Sequence, residues 1–154
     1  MSDLYIERIS VIDDEIVEAA TRLSALLGSS NQVTITAKYL ERITTNPDVY
    51  LLMARRERGE RFIGMASLII MPMPTNVRAS LENIAVDESA RGEGIGTALC
   101  QEVRTIADNL GVNTLRAATS PNNIASQTML KKSGFIVDTD LDHFELNIQQ
   151  GPRF

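Results

Sequence analysis

Apolar residues recur along this chain with two periods, near two and near 3.6, and the switches between them lay out its elements. Leu4 to Ser10 reads as a first strand. Ile12, Ile16, Ala19, Ala20, Leu23, Leu26 and Leu27 follow at helical spacing, with Asp13 and Asp14 suited to the first turn and Gly28 to the stop. A second helix is predicted over Ala37 to Thr44, ending before Asn46-Pro47. Val49 to Arg55 and Arg61 to Met71 form an antiparallel hairpin around Gly59, closed by Pro72 and Pro74. Arg78 to Val86 is the fourth strand, and Ile95, Leu99, Val103, Ile106 and Leu110 mark one face of the helix that follows. Thr114 to Thr119 is a fifth strand, Asn123 to Ser133 a last helix, and Phe135 to Ile148 a terminal hairpin broken near Asp140. The expected order is β-α-α-β-β-β-α-β-α-β-β, with about seven strands and about four helices. Strands four and five enclose a helix, so they should run parallel; the hairpins require antiparallel pairing. The fold class is therefore α/β with a mixed sheet.

Composition narrows the class without naming it. The 154 residues, 44% hydrophobic and 23% charged, are expected to form one domain over residues 1–154 with a single sizeable core. No run approaches the ~20 apolar residues of a membrane span. Met1-Ser2-Asp3 lacks the basic and apolar segments of a signal peptide, so a cytoplasmic protein is expected. Cys100, the one cysteine, rules out an internal disulfide and a Cys/His metal cluster, so no metal is expected; on its helix it reads as a buried structural thiol. A net charge of −5 argues against nucleic acid. Arg55, Arg56, Arg58 and Arg61 alternate with Glu57, Gly59 and Glu60, the pattern of a solvated hairpin tip.

The stretch Arg91-Gly92-Glu93-Gly94-Ile95-Gly96 lies where the fourth strand hands over to a helix. A helix N-terminus carries unpaired amides and a partial positive charge, and absent side chains let an anion approach them. A dinucleotide fingerprint would need a third glycine at Thr97 and an acid within Gly111 to Arg116, and neither is present. A triphosphate loop would need a lysine after the glycines. What remains is Arg91-x-x-Gly94-x-Gly96, or an ordinary glycine-rich turn.

That spacing resembles the pyrophosphate loop of the GNAT superfamily, the acyl-coenzyme-A-dependent N-acetyltransferases. The element order is also similar to theirs, and so is the segment from Asn123 to Gly134-Phe135, an asparagine opening a helix that ends in a glycine-phenylalanine pair. Together these cover essentially the whole chain. The resemblance implies acetyl-coenzyme A as donor, with Arg91, Gly92, Gly94, Ile95, Gly96 and Thr97 at its pyrophosphate. It implies that the backbone of Ile84, Ala85 and Val86 meets the pantetheine arm and the thioester oxygen, where the fourth strand parts from the fifth. It also implies that Asn123 bonds the pantetheine; Arg91 as a surface arginine and Asn123 as a simple helix cap stay open beside these roles. A helix N-terminus gives an anion up to only ~2 kcal/mol, whereas micromolar binding needs ~8 kcal/mol, so the loop cannot be the whole site.

Acetylating an amine with a pKa of about 10.4 requires removing a proton at neutral pH. Glu82 sits inside the largely apolar run Leu81 to Val86, where a carboxylate is costly without a purpose. The resemblance makes it a general base, acting directly or through water; an edge-facing or salt-bridged carboxylate is the alternative. The stretch is similar to the fourth strand of glucosamine-phosphate acetyltransferases, but Asn83 replaces their second acid, so that substrate is not inferred. Many members protonate the departing thiolate with a tyrosine four residues before the Gly-Phe pair; here that position is Leu130. Either coenzyme A leaves as thiolate, or His143, Ser126 or Thr128 substitutes; Tyr5, Tyr39 and Tyr50 lie in elements remote from the thioester. The expected function is direct acetyl transfer to a primary amine of a small molecule or peptide in a ternary complex. The other class left open is an acyl-coenzyme-A-binding sensor or assembly module without turnover. Dimerisation is common among relatives and is not decided by this sequence.

Overall fold

Each helix begins where its sequence supplies a cap. In the computed structural model, which describes residues 4–28, 33–140 and 144–146, the Asp13 carboxylate accepts from Ile16 N at 2.9 Å and starts helix α1 (Asp14–Ala25). Thr36 does the same for α2 (Ala37–Thr44), through Tyr39 N at 3.1 Å. The strands are β1 (Tyr5–Arg8), β2 (Val49–Arg55), β3 (Gly64–Pro72), β4 (Val77–Val86) and β5 (Thr114–Ala117). Helix α3 (Ile95–Asn109) links β4 to β5 after a short 3₁₀ turn (Glu88–Ala90), and α4 (Ile124–Lys132) follows β5.

The sheet order is β1-β2-β3-β4-β5. The first three junctions are antiparallel and β4/β5 is parallel, as the crossover length requires. Alternation along the strands divides the core between two faces. Leu52, Ala66, Leu68, Ala79 and Leu81 pack with Leu99 and Val103 of α3 and Leu130 of α4. On the other face Leu51, Met53 and Met65 pack with Ile16, Ala19 and Leu23 of α1 and Leu40 of α2.

Five strands form among the described residues, not the seven expected. The terminal hairpin is the difference: residues 135–140 and 144–146 are not in strands, and the rest of Phe135 to Ile148 lies outside the described residues. The reason is local. Gly134, at φ +92°, closes α4 by donating to Lys131 O at 3.1 Å, while Phe135 N donates to Leu130 O at 3.0 Å. This is a Schellman cap. It holds Phe135 against the first core and leaves Ile136 and Val137 exposed. Asp138 then takes the amide of Asp140 at 3.1 Å, a turn that competes with strand pairing.

Gly64 sets the spacing between sheet and α3. A Cβ there would lie 2.9 Å from Ile95 Cγ2, 3.1 Å from Leu99 Cδ1 and 3.5 Å from Ala54 Cβ. Gly64→Val is therefore expected to destabilise the fold by about 1–3 kcal/mol through overpacking. Urea unfolding measures this, and an unchanged midpoint would show that α3 can move outward freely.

Candidate active site

Register places the opening. The β3/β4 ladder runs the full length of β4, to the pair Gly64↔Val86, whereas β4/β5 pairing ends at Leu81↔Ala117. Among the described residues, Glu82 to Val86 thus have a strand on one side only. Within that unpaired reach β4 carries a bulge: Ser67 faces Glu82, yet Met65 faces Ala85, so β4 holds one residue more than β3. Asn83 takes up the difference at φ +52°, a left-handed conformation that asparagine tolerates better than most residues. The bulge resets the alternation. Ile84 and Val86 pack against the α3 core, and Ala85 joins the α1 core.

The glycine loop follows. Gly92 and Gly94 have φ +80° and +83°, so both are required by backbone conformation. Gly94 is the N-cap of α3 and offers no side-chain cap; the helix's first bond runs from Ala98 N to Gly94 O at 2.9 Å. The amides of Ile95, Gly96 and Thr97 precede that bond and donate to nothing among the described residues. Gly96 has a different reason to be glycine: a Cβ there would lie 2.5 Å from Met129 Sδ, so it seats α4 against α3.

Electrostatics suit an anion. Glu93 would repel one, but Arg56 grips it with two hydrogen bonds, Nε–Oε2 at 3.1 Å and Nη2–Oε1 at 2.8 Å. That contact lowers the Glu93 pKa and raises that of Arg56, so the pair stays charged and mutually neutralised. Arg91 is exposed and reaches Val86 O through Nε at 3.4 Å. The Asn123 carboxamide oxygen caps α4 by accepting from Ser126 N at 3.1 Å. Its structural role is thus visible, and its Nδ2 group makes no bond among the described residues.

Glu82 stands at the mouth of the opening, half-buried, accepting a short hydrogen bond from Ser80 Oγ. It makes no ion pair among the described residues. Leu130 is buried in the core, 8% exposed, and brings no hydroxyl to the opening. Ser126 is half-buried on α4, Thr128 is exposed, and His143 lies outside the described residues. Cys100 is buried, and desolvation pushes its thiol pKa up against a weaker opposing bond from Ser133, an inert sulfur.

Sequence reasoning missed the anchor of this region. Asp87, directly after β4, accepts from Ser89 N and Oγ with one oxygen, at 3.0 and 2.7 Å. Its other oxygen accepts from Arg22 of α1 at 2.8 Å and from Arg61 at 3.0 Å. Arg22 also donates to Phe62 O at 2.7 Å. The arginines read as a solvated hairpin tip are thus structural: Arg55 pairs with Glu7, Arg56 with Glu93 and Arg61 with Asp87, and Arg58 lies over the Tyr5 ring.

The Ser89 hydroxyl, then its amide, and then the arginines hold Asp87 below the ordinary carboxylate range. A depressed folded pKa stabilises the fold above the unfolded value near 3.8, and the contribution is lost as pH falls through the folded value. Asp87→Asn should cost about 1–3 kcal/mol at pH 7 and flatten the acid limb of the stability profile. Chemical denaturation across pH 3 to 7 checks this. Parallel profiles for the two proteins would remove Asp87 from the linkage.

No group of three or more His, Cys, Asp or Glu residues among those described can hold a metal ion. A shallow groove of about 500 Å³, lined by Gln101, Arg104, Thr105 and Asp108, lies along the far half of α3, away from the glycine loop. The β4/β5 pairing ends elsewhere, at Leu81↔Ala117, with Glu82 to Val86 beyond it.

A model of the acetyltransferase (GNAT) family matches residues 19–135, from α1 through the Gly134-Phe135 pair. The chain belongs to the GNAT family. Among individual GNAT relatives it is 32% identical over 85 residues to YwnH of Bacillus subtilis (strain 168), a protein provisionally named as a phosphinothricin acetyltransferase, covering 55% of this chain and 52% of that one. It is 32% identical over 99 residues to the L-2,4-diaminobutyric acid acetyltransferase of Halalkalibacterium halodurans, covering 58% and 51%. The chain thus spans about half the length of the curated relatives it matches. The GNAT fold itself extends further. An aminoglycoside acetyltransferase from an uncultured soil metagenomic sample, solved with sisomicin, superposes with a TM-score of 0.80 at 17% identity, covering 95% of this chain and 97% of that one.

Proposed function

We propose that this GNAT domain is an N-acetyltransferase that moves an acetyl group from acetyl-coenzyme A to a primary amine of a small molecule or peptide. The observation that carries the reading is the unpaired reach of β4 between Glu82 and the uncapped start of α3. The free amides of Ile95, Gly96 and Thr97 fit a pyrophosphate, with Arg91 beside them. The open edge of Ile84, Ala85 and Val86 offers donors and acceptors to an amide-rich arm and a polarised carbonyl. Acetyl-coenzyme A supplies an acyl group activated as a thioester. Glu82 takes one proton from the incoming ammonium and passes it to solvent. The free amine then adds to the thioester carbon, its nitrogen gives up a second proton to Glu82 directly or through water, and the C–S bond breaks with the sulfur leaving as thiolate. A thiol pKa of about 8.5 makes that departure tolerable where Leu130 offers no acid. The relatives named for diaminobutyrate and aminoglycoside acetylation favour a small-molecule amine. We place this reaction in the cytoplasm and in one domain over residues 1–154. No helix among the described residues is long and apolar enough to cross a membrane.

Thiol release measured against both acetyl-coenzyme A and an amine panel tests the reading. Initial-rate lines should intersect, as a ternary complex requires; parallel lines would contradict direct transfer. One observation favours a second reading: Leu130 is locked into the core where many relatives carry a tyrosine. A non-catalytic acyl-coenzyme-A module would bind the donor and release no thiol with any amine.

A further inference from the structure

Among the described residues, the sheet face that packs against α1 and α2 is only partly covered by them, and beside half-buried Ile69 and exposed Met71 it carries a polar strip along β4 and β5. Pairing sets Ser80 beside Arg116 and Arg78 beside Thr114. Strand alternation then puts Arg78, Ser80 and Glu82 on one face of β4, with Arg116 on the same face of β5. Ser67 of β3 stands opposite Glu82. All five are half-buried.

The two arginines are unusual in this chain. Arg22, Arg55, Arg56 and Arg61 each hold a carboxylate, and Arg8 lies over the Tyr50 ring. Arg78 and Arg116 have no hydrogen bond, ion pair or ring contact among the described residues. Two half-buried guanidinium groups thus stand on one side of Glu82 without a partner among the described residues. Adjacent strands lie about 4.8 Å apart with a rise of about 3.3 Å per residue, which puts the Arg116 and Glu82 Cα atoms roughly 8 Å apart. One small molecule can meet both.

We infer that the acceptor is a small amine that also carries a carboxylate or a like oxyanion a few bonds away. This rests on the acetyltransferase reading. Arg116 grips the oxyanion with its planar fork, and Arg78 adds its charge from further along β4. Glu82 attracts the ammonium group and repels the oxyanion, so the molecule binds in one orientation, with its amine towards the gap between β4 and β5. A plain polyamine would place a cation against the two arginines.

Matched pairs test this. Ornithine and lysine differ from putrescine and cadaverine only by the carboxylate, and phosphoethanolamine differs from ethanolamine by a phosphate. With acetyl-coenzyme A, thiol release should show kcat/KM at least tenfold higher for the oxyanion-bearing member of a pair; which pair responds tells carboxylate from phosphate. Arg116→Ala should raise KM for that acceptor roughly ten- to a hundredfold. The KM for acetyl-coenzyme A should stay nearly unchanged, plain diamines should be used better as the repulsion from Arg116 is relieved, and Arg116→Lys should restore part of the affinity for the oxyanion-bearing acceptor. Equal or better use of the diamines, with Arg116→Ala silent, would overturn the inference and leave the acetyltransferase reading intact. If no amine releases thiol, calorimetry with lysine, ornithine and phosphoethanolamine reads the site alone. Binding lost in Arg116→Ala would then support the arginine site while the acetyltransferase reading falls, and no binding to the unaltered protein would overturn both.

Discussion

Glu82→Gln is expected to lower the rate of acetyl transfer by about 10²- to 10⁴-fold while leaving the affinity for acetyl-coenzyme A nearly unchanged. The separation follows from position. Glu82 lies within β4, bonded to Ser80 Oγ, whereas the free amides of α3 lie beyond the far end of that strand. Glutamine keeps the shape and can still accept from Ser80, so folding should be spared. What it loses is the capacity to take a proton. The residual rate of the variant should climb with pH as the free-amine fraction grows towards a pKa of about 10.4. An undiminished rate at pH 7 would remove Glu82 from the mechanism, and a loss of donor affinity would mean that it shapes the coenzyme site instead.

Gly94→Val should be the most damaging single change for the donor. Nothing lies within 4 Å of a Cβ at Gly94, so the obstacle is conformational: φ is +83°. A β-branched residue there is a genuine outlier, and an L-residue pays roughly 1–2 kcal/mol even in the mildest case. The loop escapes the strain by turning its amides away, and donor affinity should fall at least tenfold, since ~1.4 kcal/mol is a factor of ten. Gly94→Asn should lose much less. Gly111→Val is the control, with φ +71° and equally open space at the other end of α3. It should lower stability without changing donor affinity. Equal donor binding by Gly94→Val and the unaltered protein would show that the loop's conformation is irrelevant to the site.

Local signals made much of this fold legible. Helix α2 runs from Ala37 to Thr44 as read, because Thr36 caps its start and Asn46-Pro47 follows its end. The parallel β4/β5 pair followed from the length of the crossover alone. The Asn83 bulge was not legible, because it is a property of register against β3; an asparagine within an apolar strand was its faint trace. The terminal hairpin lies partly outside the described residues, and its described parts, 135–140 and 144–146, are not in strands. The Asp87 network was equally hidden, since Arg22 and Asp87 are 65 positions apart. Glu82 stood out by its cost in an apolar strand, and the structure sets it just past the last β4/β5 pair. Gly96 was read as part of an anion cradle, and the structure adds that it seats Met129 of α4. Arg116 passed unremarked because its meaning depends on the face it shares with Glu82.

The central claim is that the gap between β4 and β5, with the bare start of α3 beside it, receives acetyl-coenzyme A. Calorimetric titration with acetyl-coenzyme A, with NADH and ATP as controls, tests it most directly. Micromolar binding to the first alone is the predicted result. No binding to acetyl-coenzyme A, or equal binding to all three, would contradict it.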